Sequence, residues 1–126
     1  MITIREIILR GANAAIHLQS KDGSFPSGHN GPWHWMDTPV RVTSHWATLL
    51  LDAYNISNDT KFKEAAIKSY DYLLSKHLRP FGFSYLCSKS KYKERMPNGL
   101  IGQAWVIESF LNGYNTLKNK EYIKIC

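Results

Sequence analysis

A chain of 126 residues that is 44% hydrophobic and 13% aromatic has room for one packed domain and too much apolar content for disorder. Its net charge of +6 and pI near 9.4 allow an anionic partner, whether nucleic acid, lipid or acidic sugar, and select none of them. Two cysteines, Cys87 and Cys126, give no disulfide framework and read as free thiols; with no signal peptide at the start and no stretch long enough to span a bilayer, the expected setting is the cytoplasm, away from membranes.

Apolar residues at i, i+3 and i+4 spacing mark the helices in turn. The first covers about residues 2 to 19, with Ile4, Ile7, Ile8, Gly11, Ala15 and Leu18 on one stripe that needs a partner. A polar and aromatic loop follows, from Asp22 to about Arg41, and runs into a second helix from about Val42 to Asn55, where Asn55 can form a left-handed cap. Asn58-Asp59-Thr60 supplies N-cap chemistry for a third helix that carries Phe62, Ala65, Ala66, Ser69, Tyr70 and Leu73 on one face and stops before Pro80. The basic run Lys89-Ser90-Lys91-Tyr92-Lys93-Glu94-Arg95 includes an aromatic, as single-strand binders often do. Block charges usually face water, however, and no nucleic-acid motif accompanies this one, so no nucleic-acid partner is expected. The fourth helix runs from about Leu100 to Leu117, and a fifth opens at Asn119-Lys120-Glu121-Tyr122.

An internal echo organises these helices. Ala53-Tyr54-Asn55 and then Phe62 are repeated as Gly113-Tyr114-Asn115 and then Tyr122, 60 residues later. A helix-hairpin repeat is implied, with a period longer than the common solenoids because the loops before its helices are long. Long ordered loops are usually functional. The third helix runs well past the point where the fifth is cut at Cys126, so residues 1–126 read as one α/α-hairpin domain that is a fragment of a larger ring. Stacked hairpins bury their faces on neighbours, so the partner expected for the exposed flank is either further copies of the chain or a missing remainder of it.

The first loop joins flat apolar faces to hydrogen-bonding groups. Trp33, His34, Trp35 and Asp37 together offer what a sugar ring needs, stacking on its C–H face and polar contacts to its hydroxyls. The plainer alternative is that Trp33 and Trp35 plug the end of the bundle, and that Asp37 is an acid at a positive helix end. Arg41 can hold a carboxylate bidentately or pair with Asp37 four residues earlier. His45 lies one turn further on the same helix, as a catalytic or a buried hydrogen-bonded group. Gln103 can read a sugar hydroxyl or cap a neighbouring loop. Asp22 sits in an Asp-Gly pair, and Asn30 and Asn98 beside glycines, where turn duty is the stronger reading. His29, His34 and His45 lack metal-ligand spacing, so no metal and no cofactor are expected.

Several of these segments carry a family resemblance. Gln19-Ser20-Lys21-Asp22-Gly23-Ser24-Phe25 is similar to the Gln-x3-Gly-x-Trp/Phe element of α/α toroids. The blocks Pro26 to Trp33, Thr38 to Arg41 and Asn98 to Trp105 resemble the six-hairpin glycosidase superfamily, among them the unsaturated glucuronyl hydrolases. The resemblance spans almost the whole chain. It implies an all-α fold, an incomplete (α/α)6 barrel of about five helices, with a substrate funnel at the start of the inner helices. It also implies a hydrolase of oligosaccharides, uronic acid-containing ones suiting the basic charge. Such cleavage normally uses two carboxyls. Asp37 is the best acid, with His45 beside it as the other catalytic candidate and Trp33, His34, Trp35, Arg41 and Gln103 holding substrate; Asp22 and the helical Glu108 are weaker candidates. Two alternatives share the scaffold: a truncated, non-catalytic helical-repeat module that binds glycan or a partner protein, and a sugar epimerase. The ligand sets of lanthionine and hopene-type cyclases, which also use α/α toroids, are absent from the sequence.

Overall fold

A computed structural model describes residues 1–26, 39–79 and 99–124, with the backbone of residues 29–30 and 35–36. Helix α1, Ile4–Ile16, starts later and ends sooner than the expected range of about 2 to 19. A capping box fixes the start: Thr3 Oγ1 accepts from the Glu6 N–H at 3.2 Å, and the Glu6 carboxylate accepts from the Thr3 N–H at 2.8 Å. Those hydrogen bonds hold the Glu6 carboxyl below its ordinary range. Only Ala12 and Ala15 of this helix are fully buried, while Ile4 is 77% and Ile7 54% exposed. Half of the expected stripe therefore faces outward.

The segment after α1 folds back as a tight turn, as the Asp-Gly pair predicts. Asp22 Oδ1 accepts from both the N–H and the hydroxyl of Ser24, at 3.0 and 2.7 Å. Gly23 has φ +89°, and a Cβ there would lie 2.0 Å from the Lys68 carbonyl oxygen, so no other residue fits. Gln19 locks the turn onto the next hairpin, its Nε2 lying 3.1 Å from the Gly23 carbonyl, 2.9 Å from the Ala65 carbonyl and 2.9 Å from Ser69 Oγ. Phe25 is buried, stacks on Trp46 at 5.5 Å and donates its N–H to Thr43 Oγ1. Where a plain loop is expected, β1 (His29–Asn30) and β2 (Trp35–Met36) pair antiparallel, His29 opposite Met36 and Asn30 opposite Trp35.

Helix α2, Pro39–Ser57, begins three residues before Val42 because proline suits the first helical turn. It ends past Asn55. The left-handed cap is Asn58, at φ 57°, whose N–H bonds the Tyr54 carbonyl at 2.7 Å. Asp59 then caps α3, Thr60–Leu74, by accepting from the Lys61 N–H at 3.2 Å, and a single 3-10 turn, Lys76–Leu78, buries Leu78. Helix α4, Leu100–Leu117, has the expected bounds.

The 60-residue echo is present in three dimensions. Lys118, at φ 56°, bonds the Tyr114 carbonyl at 2.8 Å as Asn58 bonds that of Tyr54. Asn119 Oδ1 accepts from the Glu121 N–H at 3.1 Å as Asp59 accepts from that of Lys61. Tyr122 is buried as Phe62 is. The expected fifth helix is represented here by this cap and a turn over residues 120–124.

Contacts between side chains give the helix directions. Arg5 Nη2 donates to the Ile56 carbonyl at 2.9 Å, joining the start of α1 to the end of α2, so the two are antiparallel. Arg41 and His45 of α2 meet Trp105 of α4, and Ser44 and Thr48 meet Ser109 one turn on, so α2 and α4 run parallel. With α3 returning from α2 through a two-residue link, α2 is the central helix and packs on all three others. The core between them holds Leu50, Leu51, Phe62, Tyr70, Leu73, Val106 and Phe110, with the Tyr122 ring 4.7 Å from that of Tyr70. The fold is all-α apart from the short ribbon, and no helix among the described residues is long and apolar enough to cross a membrane.

Candidate functional site

The start of the α2–α4 pair brings together three side chains with chemistry to offer. The Arg41 guanidinium carbon lies 4.6 Å from the centroid of the Trp105 ring, within cation–π range. His45, one turn along α2 and exposed, tilts against the same indole at 59° with ring centroids 5.1 Å apart. Gln103, half-buried, precedes Trp105 by two residues in the first turn of α4. An indole gripped by two flat cationic or titratable groups orders them and leaves a surface that is aromatic and hydrogen-bonding at once.

A buried hydroxyl cluster beneath this layer sets the register of the two helices. Ser109 Oγ donates to the Ser44 carbonyl at 2.9 Å, Tyr70 donates to the Ser109 carbonyl at 2.8 Å, and Thr48 Oγ1 lies 3.3 Å from Ser109 Oγ. Ser44 Oγ in turn donates to the Arg41 carbonyl at 2.7 Å, tying the cluster to the residue that carries the guanidinium. Burial pushes the Tyr70 phenol well above its ordinary value, the hydrogen bond to Ser109 opposing only part of that shift. Burial likewise raises the Asp52 carboxyl on α2.

Of the residues singled out in the sequence, Arg41 and His45 come together here, and Gln103 lies in the first turn of α4, two residues before Trp105. Trp33, His34 and Asp37 lie outside the described residues, as does the side chain of Trp35, whose backbone pairs with Asn30. Asp22 is committed to its turn, and Glu108 is exposed on α4. Trp105 is the member that the sequence reading does not single out, naming it only as the end of the block Asn98 to Trp105. Trp105 follows His45 by 60 residues, so the two hold equivalent positions in the repeat, and the structure sets their rings 5.1 Å apart. Among the described residues no group of three His, Cys, Asp or Glu side chains could hold a metal ion.

No protein-family model matches the chain, and no solved structure does. Over 120 residues, 95% of its length, it is 40% identical to the archaeal glycosylation protein Q of Haloferax volcanii. It spans about a third of that relative, 32%. This likeness overturns the expectation of a hydrolase that cleaves oligosaccharides, because a relative so extensive and so similar is named for glycosylation and not for glycoside hydrolysis. The physical reason for the error is plain. Aromatic rings, arginine and histidine around a helix end serve a protein that holds a sugar as well as one that cuts it, and only a placed pair of carboxyls distinguishes the two.

Proposed function

We propose that this chain is a non-catalytic helical-repeat module of a glycosylation pathway that binds a saccharide at the start of the α2–α4 pair. The 40% identity to a glycosylation protein over nearly the whole chain carries the reading. The site supports it: Arg41 and His45 bring hydrogen-bonding edges to one place, and Trp105 fixes both. The groups held at this place suit sugar hydroxyls, and the guanidinium suits a carboxylate or phosphate on the sugar.

The fold belongs, in our reading, to an α/α toroid. Parallel neighbours α2 and α4, with α1 and α3 each antiparallel to α2 on the outside, are the arrangement that two successive hairpins of such a ring would have. Two hairpins of six are a third of a ring, close to the share of the Haloferax protein that the chain spans. A sequence with two cysteines and no disulfide framework favours the cytoplasm as its compartment.

Binding and cleavage are separated by one experiment. A panel of neutral and uronic acid-containing oligosaccharides is titrated calorimetrically into the protein, and each sugar is then recovered and weighed by mass spectrometry. Saccharide should bind, lose about tenfold or more in affinity with Arg41→Ala, and return with its mass unchanged, a tenfold loss being about 1.4 kcal/mol. Absence of binding across the panel would refute the module, and shortened sugars would refute its non-catalytic character.

A further inference from the structure

An open hollow of about 380 Å³ lies between one face of α3 and the turn that follows α1, and none of Arg41, His45 or Trp105 lines it. Helix α3 contributes Lys61, Glu64, Ala65 and Lys68, whose i, i+3, i+4 and i+7 spacing puts them on one stripe. The turn contributes Ser20 and Lys21. A concavity of this volume is in the range of those that hold small molecules.

Three ammonium groups therefore share one hollow, and the backbones that carry two of them are fixed to each other. Gln19 Nε2 donates to the Ala65 carbonyl and to Ser69 Oγ, and Gly23 lies against the Lys68 backbone, so the turn bearing Lys21 is pinned to the part of α3 that bears Lys68. Lys61 has a partner, its Nζ lying 2.9 Å from Asp59 Oδ2. Among the described residues the side chains of Lys21 and Lys68 have none, and Glu64, four residues before Lys68, makes no ion pair with it. Like charges held near one another raise the energy of the folded chain, and an anion between them lowers it.

The chemistry of lysine says which anion. An ammonium is a point charge with three rotatable donors, so two of them on opposite walls suit a phosphate group, whereas a planar carboxylate is matched better by the fork of an arginine. A phosphate group is far smaller than the hollow, and what remains of the wall is polar: the Glu64 carboxylate and the Ser20 hydroxyl are both exposed and able to accept from hydroxyl groups. We propose that this hollow is a second ligand site, for a phosphorylated polyol of the sugar phosphate class, with the phosphate between Lys21 and Lys68 and the hydroxyls on Glu64 and Ser20. The inference does not rest on saccharide binding at the start of the α2–α4 pair.

Calorimetric titration of glucose 1-phosphate, glucose 6-phosphate, glycerol 3-phosphate and inorganic phosphate into the purified chain at fixed ionic strength reads the outcome, with a thermal melt to confirm that each variant is folded. At least one phosphate ester should bind, more tightly than inorganic phosphate, and should lose tenfold or more in affinity when Lys21→Ala and Lys68→Ala are combined; both side chains are exposed, so folding is spared. Lys120→Ala, which removes an exposed charge elsewhere, should leave that affinity unchanged. Glu64→Ala should weaken the ester, which loses a hydroxyl contact, and strengthen inorganic phosphate, which loses a repulsion. Absence of binding across the panel, or an ester that the lysine pair does not weaken, would overturn the proposal. An equal loss with Lys120→Ala would overturn it too, as diffuse attraction to a chain of charge +6. So would a loss with Arg41→Ala that the lysine pair does not share, which would give the phosphate to the α2–α4 site.

Discussion

At the scale of single residues, steric demand was easier to read than chemistry. Asp22-Gly23 declares a turn in any sequence, and the structure adds that Gly23 lies against the Lys68 backbone. Gly23→Ala should cost about 3 kcal/mol, the sum of a left-handed conformation and an overpacked contact, seen as a lower midpoint in urea unfolding. Trp105 was not legible because its partners come from another helix, and equivalence to His45 in the repeat does not by itself make two residues neighbours. Buried phenols give a further residue-scale expectation. Burial raises Tyr70, Tyr72 and Tyr122 above the ordinary phenol value of 10.0, so the folded state holds these protons more tightly than the unfolded chain. Their contribution is fully present below pH 10.0 and is lost as pH rises beyond it. Stability should therefore be insensitive to these groups at neutral pH and fall in alkali, with the phenolate absorbance of these three of the seven tyrosines appearing together with the loss of helical circular dichroism. Phenolate absorbance of all seven reached while the helices persist would contradict the burial of these rings.

Among the elements, helices were found by apolar period; the bounds of α4 and the cap of α3 were as expected, and the ends of α1 and α2 were misplaced because local capping sets them. Asn55 and Asn58 both qualify as left-handed caps by composition, and the choice falls on Asn58 because Asp59 stands next to it as the cap of α3, leaving a two-residue hairpin. Thr3 with Glu6 is a capping box by spacing alone and was not used, and the stripe running on to Leu18 hid the end of α1 at Ile16. Thr3→Ala should destabilise the protein by about 1 kcal/mol in thermal or denaturant unfolding. Lys118 holds a left-handed conformation that a lysine adopts at a cost, at the position equivalent to Asn58. Lys118→Gly should stabilise by about 1 kcal/mol, read as a higher melting temperature, and an unchanged or lower one would show that the αL cap is not in place.

For the molecule as a whole, fold class was legible and activity was not. Period, caps and the echo between Tyr54 and Tyr114 were enough for an all-α hairpin repeat, because these are properties of sequence spacing. Function turns on which groups converge, and the sequence placed sugar-binding residue types near a helix start without saying whether carboxyls meet there. Likeness to a glycosylation protein overturns the hydrolase reading, and recognition by Arg41, His45 and Trp105 is what we propose in its place. The most direct test is a glycan array of neutral and uronic acid-containing oligosaccharides, probed with the wild type and with Trp105→Ala. A saccharide-binding module should retain the wild type on at least one sugar and lose that signal about tenfold or more in the variant, whose Arg41 and His45 no longer have a ring to order them. Equal retention of the two proteins, or none of either, would contradict a saccharide site built on Trp105.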